Sequence, residues 1–240
     1  MSTVRFAACL ALVLSAAAVR GSDFPQPYNT ERDTTTTRLP AAETAATLQL
    51  PEGFRASVFA AEPDLQNPVA LAWDARGRLW VVENYTYAEL PVMFDLNLRD
   101  RILVFEDGKG DGRHSSRRVF TDDVQRCTSI EVGHGGVWAM CPPQLLFFPD
   151  RDGDDAPDGA PEVVLDGFTV SREKNHTVAN GLRFGPDGWL YGRCGQTSPG
   201  DIGLPGTPME ERLPLRGAMW RYHPQRKVVE VINSGTSNPW

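Results

Sequence analysis

The sequence is poor in the residues that build metal and haem sites. It holds four cysteines and four histidines in 240 residues. No C-x-x-C-H run occurs, so this stretch attaches no c-type haem, and no Cys/His spacing fits zinc. Long apolar runs are scarce. The one stretch of note, Phe6 to Val19, is too short to span a bilayer comfortably. A basic excess is missing too. The net charge of −7 repels nucleic-acid phosphate and anionic lipid, and so excludes both as partners. Beyond Pro51 no long segment carries a 3.6-residue apolar period, which argues against a helical domain.

The apolar stretch reads instead as a secretion signal over 1–21. Arg5 supplies the positive start, Phe6 to Val19 the apolar centre, and Val19 and Gly21 the small residues before a cut after Gly21. An exported, periplasmic or extracellular protein follows, with no transmembrane helix after cleavage. Cys9 leaves with the signal. Cys127, Cys141 and Cys194 remain, an odd number that forbids full pairing. Either Cys127 and Cys141 bridge neighbouring strands in an oxidising compartment, or all three are buried thiols. Residues 22–50 are polar, include the run Thr34 to Thr37, and read as a flexible linker with a short helix over Ala41 to Ala46.

Residues 51–240 read differently. A hydrophobic content of 41% supports a core, and 22 glycines with 19 prolines imply many turns between short strands. Internal repetition sharpens this to an all-β fold. Ile102-Leu-Val-Phe-Glu-Asp107 is echoed by Leu145-Leu-Phe-Phe-Pro-Asp150 and by Met219-Trp-Arg-Tyr-His-Pro224, each followed by a turn and a second strand. An upstream hairpin recurs as Leu71 to Trp80, Ile130 to Trp138 and Leu182 to Tyr191. Four antiparallel strands per repeat make the blade of a β-propeller. The blades run over about 67–124, 128–168 and 180–233. The expected fold is a partial β-propeller, about three four-stranded blades of six, and hence the N-terminal half of a ring that continues beyond this stretch. Gly53 to Ala60 reads as an extra strand before the first blade. Trp80, Trp138, Tyr191 and Trp220 recur at matching positions and read as core between blades.

The runs Glu83-Asn-Tyr-Thr-Tyr-Ala-Glu89, Leu98-Arg-Asp-Arg-Ile102, Pro149-Asp-Arg-Asp-Gly-Asp154, Asn180 to Gly192 and Gly235-Thr-Ser-Asn-Pro-Trp240 resemble the membrane-bound dehydrogenases of planctomycete-type bacteria. Those are secreted proteins whose propeller is similar to that of the glucose/sorbosone dehydrogenases. The resemblance implies oxidation of a sugar or alcohol with pyrroloquinoline quinone as hydride acceptor. It also implies onward transfer of electrons to a c-type haem domain in the full-length protein. The alternative class is a non-catalytic propeller that binds carbohydrate or protein, because a fold does not fix a chemistry.

The resemblance puts His176 at the position of the catalytic base, before the Gly185-Pro-Asp-Gly188 hairpin. A histidine suits the task, since its neutral form is populated near pH 7. Asn175 stands where that family has Asp, and cannot carry the charge that would stabilise an imidazolium. Asn238 matches a quinone-binding Asn, but Ser237 replaces the Arg before it, which removes a bidentate partner for an anion. His134, in Gly133-His-Gly-Gly136, is taken to hold the equivalent place in the second blade and to contact the cofactor or a ligand. His114 and His223 read as surface residues. Asp150, Asp152 and Asp154, with Asp158, alternate like the front of a calcium loop, though the sixth position holds Asp155 in place of Gly. The long Gly/Pro-rich segment Thr197 to Arg216 is expected to line or cover the site.

Overall fold

The computed structural model describes residues 35, 37–88, 92–170 and 176–239. The signal segment 1–21 and Asn175 lie outside the described residues. A short exposed helix, α1 (Ala41–Thr47), buries no side chain. Apart from one 3₁₀ turn at Met209–Glu211, the regular structure that follows among the described residues is short antiparallel strands. Among the described residues no helix is long and apolar enough to cross a membrane.

Local chemistry sets the strand boundaries. β1 (Pro68–Trp73) and β2 (Leu79–Glu83) are joined at Asp74, whose carboxylate accepts the backbone N–H of Arg76 and of Arg78, both at 2.9 Å. That side-chain mimic of a backbone turn, with Gly77 at φ +76°, closes the hairpin. β3 (Asp100–Glu106) and β4 (Ser116–Val124) complete a first sheet in the order β1-β2-β3-β4. Between them the Asp107 carboxylate gathers four successive backbone N–H groups, from Lys109 to Gly112, and they hold it below the usual carboxylate range.

β5 (Ser129–Val132), β6 (Gly136–Cys141), β7 (Gln144–Pro149) and β8 (Glu162–Phe168) form a second sheet by the same pattern. β9 (Asn180–Phe184) and β10 (Leu190–Cys194) begin a third. The chain then leaves it for β11 (Gly200–Gly203) and β12 (Leu213–Leu215), and returns with β13 (Ala218–His223) and β14 (Val228–Val231). The third sheet runs β9-β10-β13-β14 in space.

The sheets stack face to face, with β5 lying between β1 and β9. Side-chain alternation decides which residues fill each gap. On β3, Ile102 and Val104 face the second sheet, where they meet Trp80, Phe120, Ile130, Val137 and Phe148. Trp138, Met140, Leu145, Phe168, Leu182 and Trp220 fill the second gap. The middle sheet is covered on both faces, so β6 is buried at every residue. Leu79, Val81, Leu103 and Phe105 turn to the outer face of the first sheet, beneath Phe59, Ala60 and Leu65.

Several expectations change. Gly53 to Ala60 forms no strand. Phe59 docks through its ring, edge-on to Trp73 at 5.5 Å, and through its carbonyl, which accepts from the His114 backbone at 3.1 Å. His114 is therefore an anchor, its Nδ1 2.8 Å from the same carbonyl and its Nε2 3.4 Å from Asp64. His223 is buried edge-on against Trp189 at 5.0 Å. Tyr191 is out of phase with the core: Leu190 and Gly192 point inward, while the Tyr191 hydroxyl donates to Asp187 at 2.7 Å. Trp220 occupies the space that Gly192 leaves, where a Cβ would stand 2.2 Å from its ring.

The largest change concerns the segment Thr197 to Arg216. It forms the β11–β12 hairpin, which extends the second sheet beyond β8, at the edge remote from β5. It does not cover the first strands. Gly167 and Gly200 allow this addition, because a Cβ on Gly167 would lie 2.1 Å from the Asp201 carbonyl and one on Gly200 would lie 2.4 Å from the Gly167 carbonyl.

Candidate functional site

Each sheet places the start of its first strand at one end of the stack, the loop end, and its first hairpin at the other, the turn end. The loop end gathers two motifs far apart in sequence. Glu83 and Asn84-Tyr-Thr-Tyr87 leave β2, and Asp100 and Arg101 open β3. Alternation sends Arg101 outward, where it pairs with Glu83 and donates to the Tyr85 hydroxyl at 3.0 Å. Tyr85 in turn donates to Glu83 at 3.1 Å. Burial, and then the Glu83 carboxylate beside it, pushes the Tyr85 hydroxyl up to about 12.

Asp100 points the other way, toward the second sheet. It accepts the Thr86 backbone N–H and the Cys127 backbone N–H, each at 2.8 Å, and the Thr86 hydroxyl at 2.9 Å. Burial nevertheless pushes its carboxyl up to about 6, since no cation reaches it among the contacts described. Asn84 joins the group by donating to the Cys127 carbonyl at 2.8 Å and accepting the Tyr87 backbone N–H at 2.8 Å. This network fixes the direction in which Tyr87 leaves the sheet. The Tyr87 hydroxyl lies 3.2 Å from His176 Nδ1.

His176 is exposed, four residues before β9. Asn238 is exposed at the same end. Both segments dock on the turn after β10: Gly195 donates to the Thr177 carbonyl at 2.9 Å, and Gln196 to the Ser237 carbonyl at 2.8 Å. Gly195 is where they meet. A Cβ there would lie 2.3 Å from Thr177 Cβ and 3.0 Å from the Ser237 carbonyl. The structure thus brings His176 and Asn238 to one end and adds Tyr87.

The first strands β1, β5 and β9 line an open cavity of about 240 Å³, with Ser129, Asn180, Arg183 and Arg193 among its residues; Tyr87, His176 and Asn238 do not line it. Arg193 donates to Asn180 at 2.9 Å, and Arg183 lies 3.2 Å from Glu131. Two guanidinium groups, an amide and a hydroxyl fit an anionic, oxygen-rich group such as the quinone in charge and in donor type.

His134 lies elsewhere. It sits in the turn between β5 and β6, at the turn end, with φ +53° and its ring 4.5 Å from that of Phe184. The repeat had suggested the place of His176, but His134 follows its strand where His176 precedes one. The acidic turn is also at the turn end. Asp150, Asp152 and Asp154 bring carboxylate oxygens within 4.8 Å of one another. Burial, and the neighbouring carboxylates of Asp155 and Asp154, hold Asp150 above its ordinary range. Such crowding fits a divalent cation in charge and spacing. Asp158 stands apart, paired to Arg151 at 3.3 Å. Asp155, which breaks the calcium-loop pattern, is buried and holds Arg78 at 2.6 Å, Arg118 at 2.9 Å and Arg76 at 3.4 Å. It ties the second sheet to the first.

The arrangement defines an all-β protein of stacked antiparallel sheets with a polar loop end. Over residues 40–240 the sequence matches the family described as a domain of unknown function, DUF7133, and the chain belongs to that family. No curated protein matches the sequence. Among solved structures, the chain is similar to a candidate 6-phosphogluconolactonase of Bacteroides fragilis, with a TM-score of 0.39 and 10% identity over 73% of this chain and 58% of that one. It is also similar to the GH43 protein BlXynB of Bacillus licheniformis, with a TM-score of 0.35 and 10% identity over 69% of this chain and 39% of that one. The chain therefore spans well under two thirds of either, and both likenesses are distant.

Proposed function

We propose that the chain is the N-terminal half of an exported β-propeller of the glucose/sorbosone dehydrogenase type, whose loop end acts on the hydroxyl of a sugar or alcohol. Three stacked sheets with adjoining first strands support the propeller reading. The single observation that carries the function is the Tyr87–His176 contact at 3.2 Å, and a polar cavity along the first strands, lined by Arg183 and Arg193, supports it. When Nδ1 of His176 donates to the Tyr87 oxygen, Nε2 is left as the unprotonated nitrogen that can take a hydroxyl proton. The Tyr87 hydroxyl orients the ring as a carboxylate does in other acid–base pairs, but adds no negative charge.

Pyrroloquinoline quinone, when bound, supplies the hydride acceptor. Asn180, Arg183 and Arg193 are the groups of this chain suited to hold it, with Asn238 at the rim. In this reading electrons pass on to a c-type haem domain of the full-length protein, and Asp150, Asp152 and Asp154 hold calcium at the far end. A non-catalytic propeller that binds carbohydrate or protein is the second reading. It is favoured by the hydrogen bonding of His176, which among the described residues meets a phenol and no carboxylate.

The test uses the full-length protein with quinone and calcium and measures dye-linked oxidation of sugars and alcohols. His176→Ala should lower kcat by roughly 100-fold or more, the usual worth of a general base. Tyr87→Phe should lower it less, and Asp152→Asn should abolish calcium binding without touching the loop end. Failure to bind quinone, or an unchanged kcat in His176→Ala, would sink the dehydrogenase reading and leave the binding one.

A further inference from the structure

The three buried cysteines are not equivalent. Cys127 and Cys141 stand on the two sides of the open end of the β5–β6 hairpin, where Ser129 pairs with Met140 and the Thr128 backbone N–H donates to the Met140 carbonyl at 2.9 Å. Both side chains fall into the same apolar layer, between the first and second sheets, and are 0% and 6% exposed. Cys194 lies in the other layer, between the second and third sheets. A bond from either of the first two to Cys194 would have to cross the middle sheet. The short reach of a disulfide, with Cβ atoms about 4 Å apart, forbids that.

We propose that Cys127 and Cys141 form an intramolecular disulfide when the protein matures in an oxidising compartment, with Cys194 left as a thiol. The structure holds the pair reduced. The neighbouring Cys141 thiol, and then burial, push the Cys127 thiol well above its usual range, so the folded pair is slow to react. The bond therefore forms before the layer closes. One cysteine, as thiolate, attacks a disulfide of a thiol–disulfide exchange protein, and the second displaces that protein from the mixed disulfide. Two thiols lose two protons and two electrons, and the donor disulfide gains them as a dithiol. The crosslink would tie the end of β6 to the Cys127 backbone, which holds Asp100 and Asn84 in place beneath Tyr87.

Only the compartment rests on the export reading, and the experiment is independent of it. The full-length protein is refolded in glutathione buffers of rising oxidised fraction, its free thiols are alkylated, and its peptides are mapped without reduction. The expected result is a crosslinked Cys127–Cys141 peptide pair with Cys194 alkylated. Cys194→Ala should keep the crosslink, and Cys141→Ala should lose it and leave Cys127 alkylated. Alkylation of Cys127 and Cys141 in the most oxidising buffer would overturn the proposal, as would a crosslink to Cys194. A crosslink in a protein without dehydrogenase activity would leave the disulfide standing and count only against the dehydrogenase.

Discussion

Replacing Asp155 isolates the contact that locks the first two sheets together at the turn end. Its carboxylate is 4% exposed and meets Arg78, itself 6% exposed, at 2.6 Å. Arg118 and Arg76 also reach it but are 58% and 57% exposed, so each adds roughly 0–1 kcal/mol. Removing one partner of a buried pair costs about 3–5 kcal/mol, chiefly because the other charge is left buried. Arg78 keeps its second partner, Asp74, at 2.8 Å, which places the loss at the lower end. Asp155→Asn should therefore cost about 3 kcal/mol.

The choice of Asn matters. Asp155 sits at φ +70°, in the left-handed region that Asn tolerates and Ala does not. Asp155→Ala should lose about 1 kcal/mol more than Asp155→Asn, for backbone reasons alone. Urea unfolding followed by tryptophan fluorescence reads both, since Trp80 donates to Asp74 at 3.0 Å within the same cluster. An Asn variant within about 0.5 kcal/mol of the parent, or an Ala variant no worse than Asn, would refute the reasoning.

Two further outcomes follow from single residues. Asp100 has a folded pKa raised by burial to about 6, against an ordinary 3.8, so between those values the folded state binds more protons than the unfolded one. Its contribution is fully present below pH 3.8 and is lost as pH rises through 6, roughly 3 kcal/mol in all. Asp100→Asn should flatten that fall in urea midpoints across the window, and an unchanged slope would contradict the burial argument. Gly195→Ala should push the Thr177 and Ser237 segments apart, given the 2.3 Å approach of its Cβ to Thr177. The expected cost is about 1–3 kcal/mol, with a weakened Tyr87–His176 contact visible as a changed chemical shift of the His176 ring by NMR. An unaltered ring shift would separate Gly195 from the site.

The strands were legible because each is bounded by a local device. Asp74, Asp107 and Gly188 act within a few residues of themselves, so the hairpins they close appear in the sequence as repeats. The twelve strands of the three repeated units follow from that. The β11–β12 hairpin was not legible as sheet. Its pairing with β8 depends on Gly167 and Gly200 meeting across 33 positions, and neither glycine signals a partner. Tyr191 misled for a different reason. The repeat preserved an aromatic near the right place, but the core phase at β10 is set by Trp220 filling the space over Gly192.

The same distinction separates the two ends of the molecule. At the turn end the chemistry is read from neighbours in sequence, as in the crowding of Asp150, Asp152 and Asp154. The loop end is assembled from partners 14 to 89 positions apart: Thr86 with Asp100, Asn84 with Cys127, Tyr87 with His176. Residues 83–87 and 100–101, within the two motifs that marked the resemblance, prove to be parts of one hydrogen-bonded network. Its work is to aim Tyr87. Glu83, Asp100 and Arg101 therefore act on His176 only through backbone placement, and none of them can supply the charge that Asn175 lacks. What the network supplies to His176 is orientation, through the Tyr87 hydroxyl 3.2 Å from its Nδ1. Arg193→Gln should free the Asn180 amide, which Arg193 holds at 2.9 Å, and weaken quinone binding by the full-length protein while leaving the Tyr87–His176 contact in place. Equilibrium binding of quinone to the full-length protein measures this, and an unchanged affinity would separate the cavity from the cofactor.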